Sequence, residues 1–183
     1  MTLVRVEAPL DYPVSLDDAK ANCRVDHDDD NLLISALIAA ATARAERETG
    51  RAFSAQVWDW IDTAFPAGEI VIPLGPIVEV IEVSYRDGDG GEQVVDPALY
   101  RVDTAASDGL LVPVSGWPSA ADVPGAVRVR FKVGQGADED VRQAILLMVG
   151  HWYEHREDAS SESLQSIPLG SAALLCLHRR MFV

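Results

Sequence analysis

Residues 138–157 carry the feature that most constrains the fold, an apolar stripe at helical spacing. The apolar side chains recur at steps of three and four residues: Val141, Ala144, Ile145, Met148, Val149, Trp152 and Tyr153. This spacing places them along one side of an α-helix, which must then be buried against other elements. Asp138 or Glu139 begins the helix, because acidic side chains favour the exposed N–H groups of a helix N-terminus. The sequence therefore predicts one long, half-buried helix here.

Three more helices follow from capping residues and periodicity. Ser15 can cap a short helix over 16–23, because its hydroxyl accepts from a backbone N–H of the first turn. Residues 29–49 combine an apolar face with many alanines, which allow close packing of a neighbouring helix, and Gly50 is a natural stop. A fourth, short helix is predicted over 171–177.

The stretch from residue 52 to residue 135 has a different sequence pattern, in which runs of β-branched residues are separated by turn residues. Residues 126–133 show it best, since valine and phenylalanine alternate strictly with arginine and lysine, as in a strand with one wet face. The Asp-Gly steps of 86–91 predict a hairpin turn. About six strands are predicted, mainly antiparallel: 56–64, 70–73, 77–86, 100–103, 110–113 and 126–133.

The predicted fold class is therefore α+β. A single domain over 1–157 contains a small helical bundle, formed by 14–50 and 137–157, with the β region 52–135 inserted into it. Residues 158–170 are polar and turn-rich and are predicted to form a linker to the C-terminal end.

Charge excludes some classes of function. The formal net charge is −14 and the sequence pI is about 4.5, so the chain repels nucleic-acid phosphate and anionic membrane surfaces. Such a chain can still surround or guide DNA without binding it. With no signal peptide and no apolar run long enough for a membrane span, the expected compartment is the cytoplasm.

Metal and cysteine motifs give little support for a cofactor, and none is predicted. Cys23 and Cys176 are best interpreted as two free thiols, although the sequence leaves a bond between them open. Residues 151–155 match H-x-x-E-H, in which His151 and His155 would bind zinc with Glu154 as the base. A zinc-dependent hydrolase is thus the alternative function, weighed against an accidental match at a helix end whose dipole favours cationic histidines.

The C-terminal end is locally apolar and basic on an otherwise acidic chain. Two interpretations stay open: these side chains fold back onto the core of their own domain, or they form a docking peptide for a partner surface. The candidate docking residues are Leu174, Leu175, Leu177, His178, Arg179, Arg180, Met181 and Phe182.

Four blocks, in this order, resemble the head–tail connector (adaptor) proteins of tailed phages and gene transfer agents. The blocks are 13–53, PVSLDDAKANCRVDHDDDNLLISALIAAATARAERETGRAF; 123–136, VPGAVRVRFKVGQG; 141–158, VRQAILLMVGHWYEHRED; and 167–180, IPLGSAALLCLHRR. None of them is a catalytic signature, and the resemblance rests on their order along the chain. Residues 87–125 match least.

The resemblance implies a structural protein and not an enzyme. It implies a ring of about twelve copies that joins the portal protein to the next tail-side stopper or connector and surrounds the DNA channel. The candidate residues Leu174 to Phe182 would then bind the portal. The free chain would be a monomer, assembled into the particle in the bacterial host cytoplasm.

Overall fold

A computed structural model of the chain describes residues 1–103, 109–155 and 169–179. Within these ranges the protein has four α-helices and two antiparallel sheets, which confirms the predicted α+β class. The strands are β1 (Thr2–Glu7), β2 (Gln56–Asp62), β3 (Ile70–Ile72), β4 (Ile77–Arg86), β5 (Glu92–Val94), β6 (Tyr100–Asp103), β7 (Gly109–Pro113) and β8 (Val127–Val133). The helices are α1 (Leu16–Cys23), α2 (Asn31–Thr49), α3 (Glu139–Glu154) and α4 (Leu169–Cys176).

The chain divides into two compact units. We call Met1–Leu10 with Ser54–Gln135 the β unit, and Asp11–Phe53 with Gly136–Val183 the helical unit. The helical unit is built around α3, against which α1, α2 and α4 pack. Its core consists of Val14, Ala19, Ile34, Ile38, Ala41, Ala45, Phe53, Val141, Ala144, Ile145, Met148, Val149 and Leu175. The apolar stripe predicted for this helix is therefore the centre of the unit.

Polar contacts brace the helices at positions far apart in sequence. The Tyr153 hydroxyl donates to Asp30, 2.5 Å away, and the Asn22 side chain donates to the Leu146 carbonyl at 3.0 Å. Arg142 on α3 donates to the Pro13 carbonyl, so the chain entering α1 is held against α3. Hydrogen bonds of this kind fix the register of helices whose apolar contacts alone are non-directional.

The β unit contains a five-stranded sheet in the order β1-β2-β8-β4-β5. The alternation predicted for β8 is observed, since its valines and Phe131 are fully buried while its basic residues are half-exposed. On the wetter face, Asp59 of β2 accepts two hydrogen bonds from Arg130 of β8, at 2.8 and 2.9 Å. These two residues are directly paired across the strands, so the bidentate ion pair reinforces the register.

The second sheet of the β unit has the order β3-β7-β6. An aromatic cluster connects it with the larger sheet: Phe65 stacks on Trp117 at 5.0 Å and meets Tyr85 of β4 edge-on at 5.7 Å, while Tyr100 of β6 lies 6.2 Å from Trp117. The Trp117 indole N–H donates to the Gly68 carbonyl at 2.7 Å. Trp117 therefore packs within the protein, with its polar N–H paired.

The structure has two strands that the sequence analysis did not predict. Residues 2–7 pair with β2 as an edge strand of the larger sheet. Glu92–Val94 pairs with the end of β4 beyond the Asp-Gly turn. Both strands lie at the edges of the sheet, and β5 is fully exposed. Edge strands bury little, so their sequences carry weak apolar periodicity.

Gly134, just after β8, is expected to resist substitution. Its φ is +95°, and an added Cβ would lie 2.0 Å from the Ser54 carbonyl oxygen. Gly136 has a similar φ of +100°, but no described atom lies within 4 Å of its Cβ position. We expect Gly136→Ala to cost about 1–2 kcal/mol in free energy of unfolding, and Gly134→Ala to cost clearly more, because backbone must move. Urea unfolding of both variants measures the difference, and equal losses would contradict this account.

Candidate functional site: the C-terminal segment

The candidate docking residues begin in α4, and α4 packs on α3 within the helical unit. Leu175 is 1% exposed and is part of the core, and Leu174 is half-buried against it. The first of the two interpretations left open by the sequence therefore holds for Leu175. In this conformation its side chain is not available to a partner.

His178 fastens the end of this segment to the N-terminus of α3. Its Nε2 lies 2.6 Å from an Asp140 carboxylate oxygen, and its Nδ1 lies 3.6 Å from an Asp138 oxygen. The His178 side chain is largely buried. The contact with Asp140 is a hydrogen bond, whereas the contact with Asp138 is within ion-pair distance only. We call these three residues the His178 clasp.

The clasp also contains the one group of three possible metal ligands found within residues 1–103, 109–155 and 169–179. Its geometry favours an ion pair over a metal centre. The two carboxylates contact different nitrogens of the ring, and the closer carboxylate lies at hydrogen-bond distance. The 2.6 Å separation is that of a charge-assisted hydrogen bond.

The clasp changes the acidity of Asp140. The hydrogen bond from His178 is the main cause that holds the pKa of Asp140 below its usual range, although partial desolvation opposes it. The carboxylate of Asp140 is therefore stabilised in its charged form while the C-terminal segment is in place.

The remaining candidate residues are divided between exposed and undescribed positions. Leu177 is 77% exposed and Arg179 is exposed. Arg180, Met181 and Phe182 lie outside the described residues. The structure thus places Leu174, Leu175 and His178 on the helical unit and leaves Leu177 and Arg179 at its surface.

The H-x-x-E-H stretch does not form one continuous helix face. The helix α3 ends at Glu154, and His155 is its C-cap, with φ −110° and ψ 74°. The Nδ1 of His155 lies 3.0 Å from the His151 carbonyl oxygen, and the two imidazole rings are 4.6 Å apart. The predicted helix extended to residue 157, whereas α3 ends at Glu154, and residues 156 and 157 lie outside the described residues. The geometry of the two histidines gives no support to the zinc alternative.

A groove that the sequence analysis did not identify lies between α2 and the end of α3. It has a volume of about 420 Å³ and is lined by Ala40, Arg44, Arg47, Glu48 and Trp152. Trp152 belongs to the predicted stripe, but it is only half-buried. The sequence signal that was present is a large aromatic side chain, Trp152, near the end of its helix.

Comparisons with known proteins address the whole chain. A family model described as "Head completion protein" matches residues 14–170. No curated protein matches the chain. No helix among the described residues has the length and apolar character that crossing a bilayer requires.

Three solved structures share the fold. Two are described as the neck of an empty GTA particle computed with C6 symmetry, with 22% identity and a TM-score of 0.82, and the virion of a native gene transfer agent particle, with 21% and 0.84. A third, the neck of a native GTA particle computed with C12 symmetry, has 24% identity and a TM-score of 0.76. Each match covers 100% of this chain and 97% of the other.

Burial of Leu175 predicts that shortening its side chain strongly lowers the stability of the protein. We expect Leu175→Ala to lower the free energy of unfolding by about 2–5 kcal/mol, because it leaves a cavity in the core. The matched control is Leu177→Ala, whose side chain is already exposed and should change stability by less than about 0.5 kcal/mol. Urea denaturation compares the two, and similar effects would show that α4 does not contribute to the core in solution.

The clasp predicts a pH dependence. Because the folded pKa of Asp140 is lowered, its contribution to stability is present above the unfolded value of about 3.9 and is lost as the pH falls through the folded value. We expect wild type to exceed Asp140→Asn in stability near neutral pH, and the gap to close as the pH falls below the unfolded value of about 3.9 and through the lowered folded value. Asp26→Asn, which removes an exposed carboxylate outside the clasp, is the control. A gap independent of pH would contradict the assignment.

Proposed function

We propose a detailed function for this chain from one premise: it belongs to the head completion protein family. It is a structural head–tail connector of a phage or phage-like particle. The observation that carries this conclusion is the extent of the match, which runs from residue 14 to residue 170 and includes elements of both units.

The finer proposal is a ring of about twelve copies in the neck of the particle. This ring joins the portal protein to the next tail-side component and surrounds the DNA channel. The fold is shared with proteins from particle necks computed with C6 and C12 symmetry, which supports a cyclic assembly. The net charge of −14 per copy also suits a channel, because an acidic wall does not retain passing DNA.

We further propose that the role is mechanical and not enzymatic. The histidine pair of the H-x-x-E-H stretch lies at a helix end, where one ring nitrogen of His155 faces a backbone carbonyl. The metal-ligand group of the described residues is already engaged in the His178 clasp. Both features have a structural explanation within the helical unit.

Portal binding by the C-terminal segment remains our proposal for residues 174–182. Leu177 and Arg179 can contact a partner directly, since both are exposed in the free chain. Leu174, Leu175 and His178 can contribute only if the partner replaces the contacts that they make with α3. A partner can release the segment from α3 only if it binds the released form more tightly than the docked form. The difference between the two binding free energies sets how far the equilibrium shifts.

Several further points are proposals on the same basis. The linker was predicted over 158–170, but α4 already begins at Leu169, so the proposed linker between the domain and the docking segment is residues 158–168. The free chain is a monomer that joins the particle in the host cytoplasm. Like-charge repulsion between acidic copies supports a monomer until a partner concentrates and orients them.

The function is tested by removing the chain from a particle-producing strain. We expect filled heads that lack attached tails, and restoration of tailed particles by the wild-type chain in trans. Electron microscopy of the particles measures the tailed fraction. Normal tailed particles in the absence of the chain would refute the connector function.

The docking proposal predicts the effect of surface substitutions. We expect the pair Leu177→Asp and Arg179→Glu to reduce binding to purified portal protein at least tenfold, because apolar and cationic contacts are both reversed. Leu10→Asp is the matched control, since Leu10 is 95% exposed and lies outside the segment. Circular dichroism checks that the fold is kept. Unchanged portal affinity would remove these two residues from the interface.

A further inference from the structure

The groove on the helical unit has the character of a protein-binding pocket. Trp152 supplies an apolar wall that is only half-buried, and Ala40 adds a small exposed side chain. Arg44 is held in place by Glu48, with 2.8 Å between Nε and Oε1, while Arg47 is exposed at the rim. An aromatic wall with arginines beside it is typical of the sites at which a few side chains dominate binding.

A complementary protrusion, which we call the knob, is formed by Leu32 and Asp29 at the opposite end of α2. Leu32, in the first turn of α2, is 88% exposed. Asp29, just before the helix, has a side chain that is 95% exposed and lies 3.8 Å from His27. One exposed leucine is ordinary on a protein surface. Its pairing with an exposed acid opposite in charge to the groove makes it informative.

The knob and the groove lie on different flanks of α2. The buried residues of the helix define its inner face: Ile34, Ile38, Ala41, Thr42, Ala45 and Thr49. At 3.6 residues per turn, Leu32 points to one side of that face, and the groove residues Ala40 and Arg44 point to the other, roughly 100° away around the axis. They are also separated by about 12–18 Å along the helix.

In a ring with one kind of contact, the knob of each copy meets the groove of the next copy, and such a contact is heterologous. A heterologous contact leaves a free knob and a free groove at the two ends of every pair, so it adds further copies and closes into a ring when the rotation permits. A self-complementary patch would stop at a dimer.

The distribution of charge also favours a second copy of this chain as the partner that binds in the groove. Each copy carries a net charge of −14, so copies repel one another unless locally opposite patches meet. Arg47, at the rim beside the Arg44–Glu48 pair, gives the groove a local positive charge that suits an acidic knob. We propose that the groove formed by Ala40, Arg44, Arg47, Glu48 and Trp152 is the subunit contact of the ring and receives Leu32 and Asp29 of the adjacent copy. This inference rests on the proposed ring and deepens it by naming its interface.

Cross-linking in assembled particles tests the contact. The chain is first freed of native thiols by Cys23→Ala and Cys176→Ser, and Leu32→Cys and Ala40→Cys are then introduced together or singly. Both positions are exposed, so the fold tolerates them. The particles are treated with a short bis-maleimide. The double variant is expected to give a ladder extending past the dimer, while either single variant stays monomeric and a mixture of the two gives dimers only.

The outcomes separate this inference from the function on which it rests. Particles with intact necks but no ladder from the double variant would overturn the groove contact and leave the connector function standing. A dimer from Leu32→Cys alone would also overturn it, because that product requires a self-complementary contact. Tailed particles that contain no copy of this chain would instead remove the proposed function.

A charge-reversal cycle gives an independent measure. We expect Arg47→Glu and Asp29→Arg each to reduce incorporation of the chain into particle necks about tenfold, and the two together to recover most of the loss, because the opposite charges meet again with their signs exchanged. Arg101→Glu, at an exposed position of β6, is the control for the change in net charge and should incorporate normally. Losses that add in the double variant would refute the pairing.

Discussion

The helical unit depends on burial of one face of α3. Five residues of that helix are fully or almost fully buried, and α1, α2 and α4 all contact it. Burying a large apolar side chain contributes about 1.5–3 kcal/mol, so this face supplies much of the free energy that holds the four helices together. Its two ends carry the features of functional interest. The N-terminal acids hold His178, and Trp152 near the C-terminal end forms one wall of the groove.

A connector needs contacts that persist in the free chain and others that form only on assembly, and the helical unit contains both kinds. The core residues of α1, α2 and α3 are buried in the free chain. The C-terminal segment is held by Leu175, by the half-buried Leu174 and by the clasp. Such a short docked segment opens at a lower free energy than the whole unit, because few buried contacts hold it. The groove and Leu32 are open to solvent in the described part of the chain and suit assembly.

Charged residues also play two different roles, one inside the protein, where a buried charge is paired, and one over the whole chain, where acids are in excess. Within the β unit, Asp59 is buried yet paired bidentately with Arg130, which avoids the cost of an isolated buried charge. Over the whole chain, acids outnumber bases, with 29 against 15. The excess keeps copies apart and DNA unbound, so association requires local patches of opposite sign.

The sequence by itself determined the elements whose residues must be buried at a fixed period: α1, α2, most of α3 and the alternating strand β8. It also determined the charge and the ordered blocks that resemble the connector family. It did not determine the edge strands β1 and β5, the fate of Leu175, the clasp or the groove. Apart from β5, which pairs with the nearby end of β4, each of these joins residues distant along the chain, as His178 joins Asp140 or Ala40 joins Trp152. Local periodicity reports whether a side chain prefers burial, whereas only the folded chain decides which neighbour buries it and which face is left exposed.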